Sequence, residues 1–239
     1  MVLVTALSGV QLALSLPAAA DTSDVIPSAN PIDITPHVLD EQARSIVQVG
    51  DRMVVGGNFT QIQNAGTSTA IPQPYVFAFD PVTGKIDTNF MPSLNGEVTT
   101  VLAHPDGDKV WVAGAFSQAN GDMHSRIVLL SLSTGQAVSS FDPPAISAEI
   151  SSMKLVGDRL YIGGEFNTIG GEARTALATL DPVTGALTTA MDSTISGTLQ
   201  AGKGVTGIKT FDVSPDGSRL VAIGNFARVD GQDRVQLAM

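Results

Sequence analysis

The chain has 239 residues, 43% of them hydrophobic and only 15% charged, with 24 Gly, 13 Pro and a formal net charge of −10. That acidic balance, with no run of Lys or Arg to offset it, repels phosphate backbones and anionic membranes and excludes nucleic acid as a partner. The absence of Cys excludes disulfides, thiolate zinc sites and thiol catalysis together, while plentiful Gly and Pro suit short strands and tight turns rather than surface helices.

Residues 2–16 are almost continuously apolar, Pro17 breaks the run, and Ala18-Ala19-Ala20 precedes Asp21. An apolar core followed by small residues reads as a secretory signal peptide over residues 1–20. No Lys or Arg precedes Arg44, so the basic leader is missing and the start of the gene is expected upstream. The run is shorter than the ~20 apolar residues of a membrane helix, and no other stretch approaches that length. The reading is an exported protein, extracellular or attached to the cell wall, and not an integral membrane protein. Residues 21–42, with Pro27, Pro31 and Pro36, form an amino-terminal segment that could pair beside the last repeat and close a ring.

From residue 43 onward one unit recurs four times. Its anchor is Gly57-Asn58-Phe59, Gly114-Ala115-Phe116, Gly164-Glu165-Phe166 and Gly224-Asn225-Phe226, whose phenylalanines stand 57, 50 and 60 residues apart. Each unit begins with an alternating strand such as residues 98–103 or 150–155. A tight turn follows, Val49-Gly50-Asp51-Arg52 or Pro105-Asp106-Gly107 and their later copies, in which Pro sets φ and Gly accepts a positive φ. A short apolar strand then runs into the anchor: residues 53–55, 110–113, 160–162 and 220–223. Such a run between turns fits a strand buried on both faces. After a polar loop comes a third strand, residues 75–79, 127–132 and 176–180. It ends in Asp80-Pro81-Val82-Thr83-Gly84 or Asp181-Pro182-Val183-Thr184-Gly185, reduced to Ser133-Thr134-Gly135 in the second copy. A fourth, polar stretch such as residues 85–90 or 136–141 closes the unit.

Four antiparallel strands per 50–60 residues describe an all-β fold, a β-propeller of four-stranded blades. The blades span approximately residues 43–96, 97–148, 149–204 and 205–239. Gly at the anchor permits close backbone approach, and the Phe after it fills the wedge between neighbouring blades. From Gly114 to Gly135 and from Gly164 to Gly185 the distance is 21 residues, against 27 from Gly57 to Gly84. By that ruler the fourth unit stops short of its Thr-Gly turn. The expectation is an incomplete last blade, in a fragment of a larger propeller.

The motif Val-Gly-Gly-x-Phe, with Gly-Asp-Arg before it and Asp-Pro-x-Thr-Gly after it, resembles the delta-60 repeat. The resemblance runs over about residues 43–239. It implies a propeller of the kind found in secreted actinobacterial proteins, often beside PKD or other adhesion-type domains. It carries no catalytic motif.

Candidate chemistry is sparse. Gly202-Lys203-Gly204-Val205-Thr206-Gly207 spells a dinucleotide pattern, but a strand rather than a helix follows it, so no helix amides would meet a pyrophosphate. Asp80 and Asp181 stand where Asp before Pro initiates a turn. His37, His104 and His124 lack metal spacing, and no G-x-S-x-G elbow occurs. No cofactor is expected. Asn58-Phe59-Thr60 spells a glycosylation sequon but lies inside the anchor. The one variable anchor position, Asn58, Glu165 and Asn225, is where channel-lining ligand contacts are expected. The expected function is a non-catalytic binding or scaffold propeller, its partner a cell-surface or cell-wall glycan or a surface protein. The alternatives are a secreted hydrolase or oxidoreductase with a site built from residues 60–74 and 193–203, and an inert spacer in a larger surface protein.

Overall fold

A computed structural model describes residues 32–200 and 202–239, so the expected signal peptide lies outside the described residues. The compact unit that carries the repeats covers Asp33–Met239. It is all-β. Each repeat forms one antiparallel three-stranded sheet: β1 (Ala43–Val49), β2 (Arg52–Gly57) and β3 (Val76–Phe79) in the first, β4 (Val98–Ala103), β5 (Lys109–Gly114) and β6 (Ile127–Ser131) in the second. The third contains β7 (Ile150–Val156), β8 (Arg159–Gly164) and β9 (Leu177–Leu180). The fourth contains β10 (Gly207–Val213), β11 (Leu220–Asn225) and β12 (Leu237–Ala238). In every sheet the anchor-bearing strand is central.

The expected fourth strand shrinks to a single bridge: Phe79 with Ile86, Leu130 with Ala137, Leu180 with Leu187. Beyond the bridge the chain turns inward, and Phe90 and Phe141 are buried instead of continuing a ladder. Removing those rings from water outweighs the few edge hydrogen bonds given up.

The polar loop after each anchor also has structure. In repeats two to four it carries a small hairpin whose turn residues both have positive φ: Asn120 and Gly121 at 52° and 92°, Gly170 and Gly171 at 60° and 86°, Asp230 and Gly231 at 51° and 75°. Two consecutive positive φ values make a type I′ turn, which Asn-Gly, Gly-Gly and Asp-Gly accept with least strain.

Of the segment before the first repeat, residues 21–31 lie outside the described residues, and the described part sits on the first repeat. Its His37–Val38 strand pairs antiparallel with Gln61–Gln63, just as Leu94, Ile146 and Ile195 pair with Ala119, Ile169 and Val229. Val38 packs on the cluster of Phe59 and Ile62, and that apolar contact holds the segment on the first repeat.

Three apolar clusters join consecutive sheets. Val54, Val76 and Ala78 meet Val101, Val112 and Val128. Trp111, Ile127 and Leu129 meet Met153, Ile162 and Leu180. Tyr161 and Leu177 meet Ile208, Phe211 and Ala222. The anchor rings Phe59, Phe116, Phe166 and Phe226 are all fully buried. Each alternate residue of a central strand thus serves a different neighbour, which is why these strands are apolar throughout.

The anchor glycine answers to its own sheet. A Cβ on Gly57, Gly114, Gly164 or Gly224 would lie 2.1, 2.2, 2.1 or 2.1 Å from the carbonyl oxygen of Gln42, Glu97, Glu149 or Gly207. Those carbonyls come close because each first strand carries a β-bulge opposite the anchor, between Ala43 and Ser45, Val98 and Thr100, Ile150 and Ser152, and Ile208 and Thr210. On its other side the anchor amide donates to Tyr75, Arg126, Ala176 or Gln236 O, at 2.9, 2.9, 2.9 and 3.2 Å. Those four acceptors hold φ of 72°, 76°, 66° and 62°.

Candidate functional site

A β-bulge inserts one unpaired residue and re-aims its side chain. The inserted residues here are Arg44, Thr99, Ser151 and Lys209, one position repeated four times. All four line a cavity of about 510 Å³ together with Gln42, Ala43 and Glu149. An adjoining cavity of about 390 Å³ shares Arg44, Glu149, Ser151 and Lys209 and adds Glu165, Asn225 and Gln236. The first strands of all four repeats therefore converge on one polar site. A cavity of about 550 Å³ elsewhere is lined by residues 33–34 and the turns at 64–67 and 83–86, and gathers no comparable set of charges.

Charge in the site is mixed. Arg44 Nη2 lies 3.0 Å from Glu97 Oε2, joining the first strands of repeats one and two. Burial raises the pKa of Glu149, and the like charges of Glu97 and Glu165 raise it further; Arg44 and Lys209 oppose the shift. Thr99 Oγ1 donates to Ala113 O at 3.2 Å and also to Ile150 O of the next repeat. Ser45 Oγ accepts the Val101 amide at 3.1 Å. These bonds tie neighbouring first strands, so the cavity wall is held in place rather than presented on mobile loops.

The three anchor residues expected to line a channel have different fates. Asn58 is not among the lining residues: its Oδ1 accepts the Gln42 amide at 2.9 Å and its Nδ2 donates to Glu41 Oε2 at 3.4 Å. The side chain folds back along its own sheet. Asn225 borders the cavity, but its amide is committed to the 197–206 loop, accepting from Leu199 N at 3.1 Å and donating to Val205 O at 2.9 Å. Glu165 is exposed and faces the cavity.

Other sequence candidates resolve into structure. Asp80 Oδ1 accepts the amides of Val82 and Thr83 at 2.7 and 2.8 Å, and Asp181 Oδ1 those of Val183 and Thr184 at 3.0 and 2.7 Å. These amides hold both carboxyls below the usual range. Strand β10 starts at Gly207, so no helix stands behind the Gly202–Gly207 pattern. His104 packs against Trp111 in a tilted arrangement, with ring centroids 4.6 Å apart. Among the described residues no group of three or more His, Cys, Asp or Glu is placed to hold a metal ion, and no helix is long and apolar enough to cross a membrane.

Arg44, Thr99, Glu149, Ser151 and Lys209 were not singled out by the motifs. A faint signal exists, because the bulged residues all lie 13 or 15 positions before their anchor glycines and are all polar. A bulge, however, is a property of strand pairing and leaves no residue type of its own.

No protein-family model matches the chain, and no curated protein matches it. Among solved structures the chain is similar to the computationally designed Ika4 protein, at 11% identity and TM-score 0.50, over 87% of this chain and 98% of that one. It is also similar to the computationally designed Ika8 protein, at 13% identity and TM-score 0.48, over 82% of this chain and 46% of that one. A third similar structure is Kuenenia stuttgartiensis hydrazine synthase, at 13% identity and TM-score 0.46, over 84% and 45% of the two chains. At such identities the likeness concerns the fold alone. The chain is an all-β protein of small antiparallel sheets in a β-propeller-like arrangement.

Proposed function

We propose that this protein is an exported, non-catalytic binding or scaffold propeller of the delta-60 type, whose ligand is a cell-surface or cell-wall glycan held where the four first strands meet. The carrying observation is the convergence of Arg44, Thr99, Ser151 and Lys209, one from each repeat, on a cavity that also holds Glu149 and Glu165. Hydroxyls, carboxylates and cations spread over one rigid wall suit a polyhydroxylated ligand, which offers donors and acceptors on every side. Export is supported by the apolar residues 2–16 and the Ala triplet after them. In the finer architecture we infer, the repeats are blades of a propeller in which these four make up part of the ring. The apolar clusters that join each repeat to the next support that reading.

Binding of the full-length protein to a glycan array and to isolated cell walls tests the proposal. Retention that falls with Glu165→Ala and Lys209→Ala is the expected result. No retention by the unaltered protein on either support overturns it.

A second reading, a secreted hydrolase, draws on the raised pKa of Glu149 beside Glu97 and Glu165, since burial and neighbouring carboxylates are what raise the pKa of a general acid. It ranks second because no hydrogen bond from a described residue orients the side chain of Glu149 or Glu165. Turnover of a bound glycan that vanishes in Glu149→Gln while binding persists would place it first.

A further inference from the structure

One first-strand position changes residue type for a reason that lies outside its own repeat. The residue whose carbonyl oxygen faces the anchor glycine is Gln42, Glu97 and Glu149 in repeats one to three, and Gly207 in repeat four. Backbone conformation does not demand glycine there, since Gly207 has no positive φ. The demand comes from the preceding repeat. A Cβ on Gly207 would lie 2.9 Å from Glu165 Cγ and 3.4 Å from Glu165 Cα. Packed carbon atoms stand about 3.5–4.0 Å apart, so a side chain at 207 and Glu165 in its present place exclude one another.

The other two contacts between repeats have the reverse arrangement. Ala115 occupies the anchor position that corresponds to Glu165, and the first strand of the following repeat supplies Glu149. Between repeats one and two, Asn58 folds back along its own sheet. There the first strand supplies Glu97, which Arg44 holds at 3.0 Å. Each contact thus contributes one carboxylate, from the first strand at two of them and from the anchor at the third. Glycine at 207 is what lets the anchor supply it.

Glu165, Gly207 and Glu149 all line the cavity of about 390 Å³, and the like charge of Glu165 acts on Glu149. A carboxylate only accepts hydrogen bonds. A ligand ammonium beside Glu165 and Glu149 donates to them and relieves the repulsion of two like charges, whereas an N-acetyl group carries no charge to do so. Gly207 and Glu165 both lie in the contact of repeats three and four, and that contact alone sets their geometry.

We propose that Gly207 is a positioning residue and Glu165 the specificity-determining residue of this cavity: the missing side chain at 207 admits the Glu165 carboxylate, which selects glycans bearing a free amino group over their N-acetylated forms. The selectivity rests on the glycan-binding reading; the positioning role does not.

The full chain and two oligosaccharides of one backbone, a β-1,4-linked glucosamine oligomer and its N-acetylated form, test the selectivity. Retention of the amine form about tenfold above the acetylated form is expected, as one charge-assisted hydrogen bond gives. Glu165→Gln removes that preference. Gly207→Ala removes it too, with no further loss when the two are combined. The new methyl also comes within 3.1 Å of Gly164 O, so a thermal melt of Gly207→Ala accompanies the measurement. Carboxyl NMR titration supplies a readout that needs no glycan. Glu165→Gln lowers the Glu149 midpoint by removing a like charge, and Gly207→Ala shifts that midpoint only while Glu165 is present. An unchanged Glu149 midpoint in Gly207→Ala overturns the positioning role. Equal retention of the two oligosaccharides overturns the selectivity and leaves the binding reading standing. Retention of neither overturns the selectivity as well, and the array and cell-wall result then judges the binding reading by itself.

Discussion

The amide of Gly164 donates to the carbonyl oxygen of Ala176 at 2.9 Å, and the amide of Ala176 donates to Phe166 O at 2.8 Å. This reciprocal pair fixes the anchor against the third strand, and it is possible only because Ala176 adopts a φ of 66°. The same pairing links Gly57 and Phe59 to Tyr75, Gly114 and Phe116 to Arg126, and Gly224 and Phe226 to Gln236. An L-residue in that region costs roughly 1–2 kcal/mol, so each repeat carries a strained residue to complete its anchor.

Glycine at such a position relieves the strain. Gln236 is exposed, so Gln236→Gly loses little packing. Chemical denaturation should show a gain of up to about 1 kcal/mol, the relief being partly offset by the entropy of a freer unfolded chain. A loss of stability would show that the Gln236 side chain contributes contacts of its own.

The anchor glycine has no room for a side chain in any of the four repeats. In Gly164→Ala the new methyl meets Glu149 O at 2.1 Å, and backbone cannot swing aside as a side-chain tip can. A loss of about 3 kcal/mol or more is expected in urea unfolding. Gly171→Ala, where nothing lies within 4 Å, should cost less, its penalty coming from φ alone.

Phe166 is fully buried in the cluster that joins repeats two and three. Phe166→Ala should cost about 3–5 kcal/mol, the usual range for deleting a buried ring. Thermal melts of the variant against the unaltered chain would measure it.

Acid should weaken the fold with a definite sign. The Thr60 hydroxyl and amide hold the Asp40 carboxyl at about 2, and the Ser214 hydroxyl with the Ser218 amide and hydroxyl hold Asp216 at about 2. An unfolded Asp titrates near ~3.9. Between those values the unfolded chain binds protons that the folded chain refuses, so stability is full above about pH 4 and falls as pH drops toward 2. Glu149 has the opposite sign. Its raised carboxyl keeps a proton that the unfolded chain releases, so its contribution is full below the ordinary Glu range and is lost as pH climbs from that range through the raised folded value. Urea midpoints against pH should show both limbs, with Glu149→Gln removing only the upper one and Asp40→Asn reducing only the lower.

The repeat was legible in the residues because its causes are local. Apolar runs bounded by Pro-Asp-Gly and Gly-Asp-Arg announce strands and turns, and Gly-x-Phe marks their register; the four anchor-bearing strands and the first strands of repeats two and three fall where those signs put them. The Asn120-Gly121 and Asp230-Gly231 hairpins were also readable as type I′ pairs, although a polar loop masked them. The fourth strand was not readable. Whether residues 85–90 extend a ladder or bury Phe90 depends on the energy of a core assembled from other repeats.

The sequence by itself determined the all-β class, the four-fold repeat and the need for glycine at each anchor, since propensity and turn chemistry act over a few residues. Only the tertiary structure decided that Arg44, Thr99, Ser151 and Lys209 face one cavity. It also decided that Asn58 folds back on Gln42 while Glu165 looks into the site. A bulge exists only once two strands are in register, and a cavity only once repeats more than fifty residues apart have packed side by side.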